Sequence, residues 1–177
     1  MLPDVIACPV CHTAPISDRC PSCGRGYPDG DYTPIPPPDK DVRSRWGIWE
    51  TLQANGAAVY ADDPAGNLSI GDRSDAQAFG EFSQIAGRVL DVGCGPQELP
   101  SYSGGEFFGI DPLAGGPRSF AFVQGIAEYL PFRDASFDRV LFATSLDHML
   151  SPRRAIAEAR RVLTQDEIGR ASCRERV

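Results

Sequence analysis

Eight residues, VLDVGCGP at 89–96, constrain the fold of this chain more than any others. RVLDV (88–92) reads as a buried strand, and the turn behind it carries Gly93 and Gly95, which let backbone fold tightly against a ligand. A lone Gly-x-Gly is weak evidence. Here a second apolar run, FFGI at 107–110, leads into Asp111, twenty residues after Asp91. A carboxylate at the end of a neighbouring strand can accept both hydroxyls of a ribose. FAFV (120–123) and RVLFA (139–143) are two further buried-strand candidates. Ser151 is placed to cap a helix with Pro152 in its first turn and Ile156, Ala159, Val162 and Leu163 on one face. Unbroken apolar strands of this kind belong to a parallel sheet covered on both sides, so the fold class is α/β.

The turn also discriminates between nucleoside cofactors. A dinucleotide site places a third glycine at the helix start to seat a pyrophosphate, whereas this chain has Gln97 and Glu98 there. Acidic side chains repel phosphate. S-adenosylmethionine has no phosphate, and its sulfonium and ammonium groups favour a carboxylate such as Asp91. The turn therefore fits S-adenosylmethionine better than NAD.

VLDVGCGPQ, GIDP, GIAEYLPFRDASFDRVLFATSLDHM and SPRRAIAEARRVL, taken in order over residues 88–163, resemble class I SAM-dependent methyltransferases of the type 11 kind. The resemblance implies a partial Rossmann-like sheet holding the first four strands in the order 3-2-1-4. It further implies that Asp91, Gly93 and Gly95 line the methionine part of the cofactor, that Asp111 holds the ribose, and that the loop from Ile126 to Glu128 flanks adenine. Such proteins usually carry an acidic residue where Ile126 stands, so backbone groups of Ala127 and Glu128 take over the adenine contacts. Two connections, PQELPSYSGG and LAGGPRS, are shorter than a parallel crossover normally needs. Their covering helices are expected to be single turns or absent.

TSLDHM (144–149) follows the fourth strand, at the rim where acceptor and sulfonium would meet. His148 is the candidate general base, and Asp147 would orient it or bind an acceptor amine. The competing reading gives both only a part in shaping the loop and capping the next helix. Cys94 is expected to be a small buried filler. Val42 to Gly56 predicts a helix stopped by Gly56, residues 58–72 a loop, and residues 75–87 a second helix. Trp46, Trp49, Tyr60 and Phe79 in this extension serve either as core packing against the sheet or as an aromatic acceptor pocket.

Cysteines 8, 11, 20 and 23 form two Cys-x-x-Cys pairs, CPVC and CPSCG, separated by eight residues. Two such turns complete a tetrahedral set of four thiolates, and a segment this short needs a staple in place of a core. Zinc is the expected metal and iron its rival. A closed four-sulfur shell makes the site structural. His12, beside Cys11, is expected to be a surface residue and no ligand. The stretch CPVCHTAPISDRCPSCGRGYP resembles the zinc-ribbon activator domain of tRNA, rRNA and release-factor methyltransferases. TPIPPPDKD (33–41) then marks a boundary. The organisation expected is a ribbon at 1–35, a Pro-rich linker and helical extension at 36–86, and a partial methyltransferase domain at 87–165. The last residues, 166–177, including Cys173, resemble a foreign tail, which would leave the fourth strand an uncovered edge with an apolar face.

The net charge of −7 provides no basic face for nucleic acid. No run is long enough to span a membrane, and the first residues lack the features of a signal peptide, so the cytoplasm is the expected location. The activity expected is methyl transfer to a small molecule or sugar-like metabolite. Its rivals are an RNA or protein substrate docked by the ribbon, and a SAM- and zinc-binding module without turnover.

Overall fold

The computed structural model describes residues 5–62, 74–100, 102, 104–113, 116 and 118–164. The apolar run around Leu90 becomes the central strand β1 (Gly87–Val92). β2 (Gly105–Asp111) and β4 (Arg139–Leu141) pair with it in parallel on either side, and β3 (Ala121–Gln124) pairs in parallel with β2. The order β3-β2-β1-β4 is the one the resemblance implies. Val92 lies opposite Ile110 in the register, so the glycine turn and Asp111 leave the sheet side by side at one edge.

Side chains alternate across the sheet with the period of two that strands impose. Leu90, Val92, Phe108, Ile110 and Val140 join one core cluster, together with Ala155, Ala159 and Val162 of the helix Pro152–Val162. Val89, Phe107 and Leu141 face the other way, towards Ala76, Ile85 and Tyr102. Ala76 comes from the helix Ser74–Ser83. β4 is an edge strand as expected, but its apolar faces are not exposed: Val140 and Leu141 are buried, one on each side. The helix Pro152–Val162 buries Ala155, Glu158, Ala159 and Val162, whereas Ile156 is turned towards solvent. A 3.6-residue period keeps 155, 158, 159 and 162 in one stripe and rotates 156 out of it. Ser151 holds the N-cap position but makes no side-chain cap; its amide donates to Glu128 Oε1 instead, at 2.9 Å.

The helical extension differs from its sequence pattern. A first helix, α1 (Lys40–Ser44), is capped by the Asp39 carboxylate, which accepts from the amides of Asp41 and Val42. Arg45 separates it from α2 (Trp46–Asp62), which runs through Gly56 and takes in the first residues of the expected loop. Gly56 does not end the helix because it is not in the left-handed conformation that terminates one. In chain order the helices Ser74–Ser83 and Pro152–Val162 are α3 and α4. No described residue between β1 and β2, or between β2 and β3, is helical, in line with the short connections. In place of covering helices, Ser119 N donates to Glu98 O at 2.8 Å, and Arg118 stacks 3.5 Å from the Phe122 centroid while donating to Gly95 O at 2.9 Å.

The cysteine-rich segment is built into the sheet. Ile6 forms an antiparallel bridge with Phe132 and Asp31 a parallel bridge with Gln124. Val5, Ile6, Cys8, Cys20, Tyr27 and Tyr32 belong to the same core cluster as Leu90 and Phe108. The proline run is a strap against this core: Pro34 and Pro37 are buried, and Asp39 N donates to the Tyr129 hydroxyl at 2.9 Å. Among the described residues no helix is long and apolar enough to cross a membrane. The expected foreign tail with Cys173, and most of the expected loop at 58–72, lie outside the described residues.

Candidate cofactor cleft and metal site

At the C-terminal edge of the strands the turn after β1 closes on its neighbour. The amides of Gly93 and Cys94 donate to Ile110 O at 2.8 and 3.3 Å, and Gly95 N donates to Asp111 Oδ2 at 2.9 Å. Three consecutive amides that could otherwise cradle a phosphate are thus occupied within the fold, which suits a cofactor without phosphate. Gly93 has φ +77°, and a Cβ there would sit 2.4 Å from Ser145 Cβ. Ser145 is a residue that the sequence pattern did not single out; its hydroxyl donates to Val92 O and fixes the rim loop against the glycine turn. The expected filler, Cys94, is buried beside Gly109, where a Cβ would lie 2.7 Å from its sulfur.

Two acidic side chains stand at this edge. Asp111 accepts from Leu113 N and Gly95 N, both at 2.9 Å, and a carboxylate keeps lone pairs for two further donors. Burial pushes its carboxyl up against the opposing pull of those two amides. Asp91 is only 4% exposed, and burial, joined by the charge of Asp111, pushes its carboxyl up to about 7.

A cleft of about 640 Å³ opens over this edge. Gly93, Asp111, Ala127, Glu128, Asp147 and His148 line it together, whereas Asp91 and Gly95 lie outside its lining. Its roof is α2, which contributes Ile48, Trp49, Leu52, Gln53, Gly56 and Tyr60. This helix has no buried residue, and Ile48 and Leu52 are 71% and 60% exposed. Of the four aromatics in the extension, Trp49 and Tyr60 line the cleft. Trp46 packs on Trp49 at 4.8 Å beside Tyr129 and Leu150, and Phe79 packs on Tyr102 at 5.4 Å on the far side of the sheet. Arg45, another residue the pattern left unmarked, lines the cleft and donates to Leu150 O at 2.8 Å, tying the start of α2 to the rim loop.

The 3₁₀ turn Ala127–Tyr129 follows Ile126 along the cleft wall. Glu128 is 1% exposed, and its side chain runs towards the start of α4, where Oε1 takes the Ser151 amide. Its carbonyl accepts from Arg154 Nε at 2.9 Å. Burial pushes this carboxyl up too, with the Ser151 amide opposing. Asp147 and His148 stand on the 3₁₀ turn Leu146–His148, both exposed, with His148 Nε2 3.6 Å from Asp147 Oδ2.

Away from the cleft, the sulfurs of Cys8, Cys11, Cys20 and Cys23 all lie within 4.8 Å of one another. The contacts Cys8–Cys23 and Cys11–Cys20 measure 3.6 and 3.5 Å. Tetrahedral zinc with bonds of about 2.3 Å requires sulfurs about 3.8 Å apart, so the donor set fits the metal in both chemistry and spacing. The two knuckles are built alike. Cys8 N donates to Thr13 O and His12 N to Cys8 O; Cys20 N donates to Arg25 O and Gly24 N to Cys20 O. His12 has φ +58° and Gly24 φ +71°, so the histidine fills the left-handed position that glycine fills in the second knuckle. His12 is exposed, and it is not one of the clustered ligands. The Tyr27 hydroxyl lies 3.2 Å from Cys8 Sγ.

Residues 90–168 match the family model of a methyltransferase domain. The match covers less than half of the chain. Among solved structures, the chain is similar to the YcgJ protein of Bacillus subtilis, at 26% identity over 52% of this chain and 47% of that one, with a TM-score of 0.43. A putative S-adenosyl-L-methionine-dependent methyltransferase from Methanococcus maripaludis shows 16% identity over 68% and 61%, with a TM-score of 0.47. A SAM-dependent methyltransferase from Thermotoga maritima, described as a possible histamine N-methyltransferase, shows 21% identity over 67% and 56%, with a TM-score of 0.41. The chain thus spans between 47% and 61% of the lengths of these three. No curated protein matches. The methyltransferase stretch takes in the glycine turn, Asp111, the loop Ile126–Glu128 and the rim loop, while the four cysteines and α2 lie N-terminal to it.

Proposed function

We propose that this protein transfers a methyl group from S-adenosyl-L-methionine to a small-molecule acceptor, and that its four cysteines hold a structural zinc ion. The observation that carries the cofactor reading is the occupied glycine turn beside Asp111 at the floor of the cleft. The cofactor supplies an electrophilic methyl carbon. Asp111 would hold the ribose, Asp91 would sit behind the turn as counter-charge for the cationic end, and the Ala127 and Glu128 backbone would flank adenine. Because displacement at that carbon is in line, positioning by the cleft supplies most of the catalysis. His148, next to Asp147 at the rim, would take the acceptor's proton where the acceptor must lose one. The apolar inner face of α2, with Ile48, Trp49 and Leu52, and the net negative charge favour a small molecule over RNA. Four thiols kept at metal-binding distance suit a reducing compartment, and hence the cytoplasm.

The test is calorimetric titration of the zinc-loaded chain with S-adenosyl-L-methionine, followed by transfer of a labelled methyl group into metabolite, RNA and protein fractions. Saturable binding with label in the metabolite fraction is expected. Label in RNA or protein would replace the acceptor reading, and absence of binding would refute the cofactor reading.

A further inference from the structure

The loop Gly125–Glu128, which lines the cleft, is strung between Gln124 at the end of β3 and Pro131. Both anchor points are bonded by the cysteine-rich segment. At one end Tyr32 N donates to Gln124 O at 2.9 Å, alongside the bridge from Asp31. At the other, Ala7 N donates to Pro131 O at 3.0 Å, Arg133 N donates to Val5 O at 2.8 Å, and Ile6 bridges Phe132. Each clamp lies close to a metal ligand. Ala7 is the residue before Cys8, and the Tyr32 ring packs 5.5 Å from Tyr27, whose hydroxyl touches Cys8 Sγ. On its inner side Gly125 N donates to Asp111 O at 3.1 Å, and Glu128 accepts the Ser151 amide with its carboxylate and Arg154 Nε with its carbonyl.

We propose that metal occupancy of the Cys8, Cys11, Cys20, Cys23 set is coupled to cofactor binding, with the two clamps at Gln124 and Pro131 as the physical link. The proposal rests on the cofactor reading above. The metal fixes the first knuckle and with it the strand position of Val5 to Ala7; the clamps then hold the loop in the shape that lines the cleft. Loss of the metal frees the knuckles first, then Ala7, and the loop must be ordered again at the expense of cofactor affinity. Coupling of this kind is reciprocal, so the cofactor must tighten the metal by the factor by which the metal tightens the cofactor.

Two measurements on the full chain test it. Titration with S-adenosyl-L-methionine before and after chelation should show affinity weaker by about tenfold without zinc, within the usual range of coupling between sites. Amide exchange should speed up at 125–133 on chelation while Leu90–Val92 and Phe108–Ile110 keep their protection. Equal affinities, or exchange that rises as much in β1 and β2 as in the loop, would overturn the proposal. Ala7→Pro removes the amide given to Pro131 and leaves every cysteine in place. It should retain zinc in chelator competition and bind the cofactor with reduced affinity whether or not zinc is present; an affinity still governed by zinc would overturn the clamp. If the variant does not fold, the exchange pattern of the native chain decides. A zinc-loaded chain that binds no cofactor sinks the cofactor reading alone, because the exchange pattern still reports on the clamps.

Discussion

Asp91→Asn should remove a pH dependence of stability that the sheet edge imposes. Asp91 is buried beside Asp111, and its carboxyl is raised from 3.8 to about 7. The unfolded chain releases this proton near 3.8, while the folded chain keeps it until about 7. The protonated group is tolerated in the fold and the charged one is not, so stability is highest below the unfolded value and falls as pH rises through this window. A shift of about 3 units corresponds to about 4 kcal/mol at completion. Somewhat less than half of this has accrued at pH 5 and nearly all by pH 8, so roughly 2–3 kcal/mol separates these two conditions. Asparagine is neutral and nearly isosteric, and carries no such term. Urea denaturation of both proteins, zinc-saturated and free of cofactor, across about pH 5 to 8 would measure it. The variant should gain on the wild type by roughly 2–3 kcal/mol across the range. Subtracting the two profiles cancels the pH dependence of metal binding, which both share. A difference that stays flat with pH would refute the reasoning. If a cationic ligand end sits near Asp91 as proposed, cofactor binding at pH 6 should release a proton, seen as a binding enthalpy that varies with the buffer.

Asp111→Ala should weaken S-adenosyl-L-methionine binding in calorimetry more than His148→Ala does; equal effects or the reverse order would contradict the roles assigned. Gly93→Ala forces a Cβ to 2.4 Å from Ser145 Cβ, whereas Gly95→Ala meets only the Tyr60 hydroxyl at 3.7 Å. Chemical denaturation should show Gly95→Ala costing about 1 kcal/mol for its backbone conformation and Gly93→Ala clearly more. Glu128→Ala strips the partner from the Ser151 amide and should cost about 1–3 kcal/mol, while Glu128→Gln, which keeps an acceptor oxygen, should cost less. Glu158→Ala removes the partner of the Leu130 amide and one of the two carboxylates on Arg161, which keeps Asp134 at 2.8 Å, and should cost about 1–3 kcal/mol in the same assay.

The strands, the lean connections and the cysteine cluster were legible because each leaves a mark in side-chain type or spacing. Apolar runs mark β1 to β4, and the cysteine spacing marks the knuckles. What escaped the sequence is carried by backbone. The pairing of Val5 to Ala7 with 131–133 uses amides and carbonyls that any residue possesses, so composition carries no sign of it. The Glu128 carboxylate accepts from an amide 23 residues away, a partner that no local spacing reveals. Gly56 looked like a helix stop because composition does not reveal backbone conformation. Ile156 was put on the buried face by its hydrophobicity, where Glu158 stands instead, satisfied by Leu130 N and Arg161.

The helix roofing the cleft has a consequence for how such a protein can change over time. Substitutions are most often rejected because they destabilise the fold, and large losses come from buried positions. α2 buries no side chain, although six of its residues face the cleft. Positions such as Ile48, Leu52 and Gln53 can therefore be exchanged at little risk of unfolding, while the strand ends beneath them stay fixed. Selection can redraw the roof without disturbing the floor, and a library confined to α2 is the economical place to look for altered ligand preference.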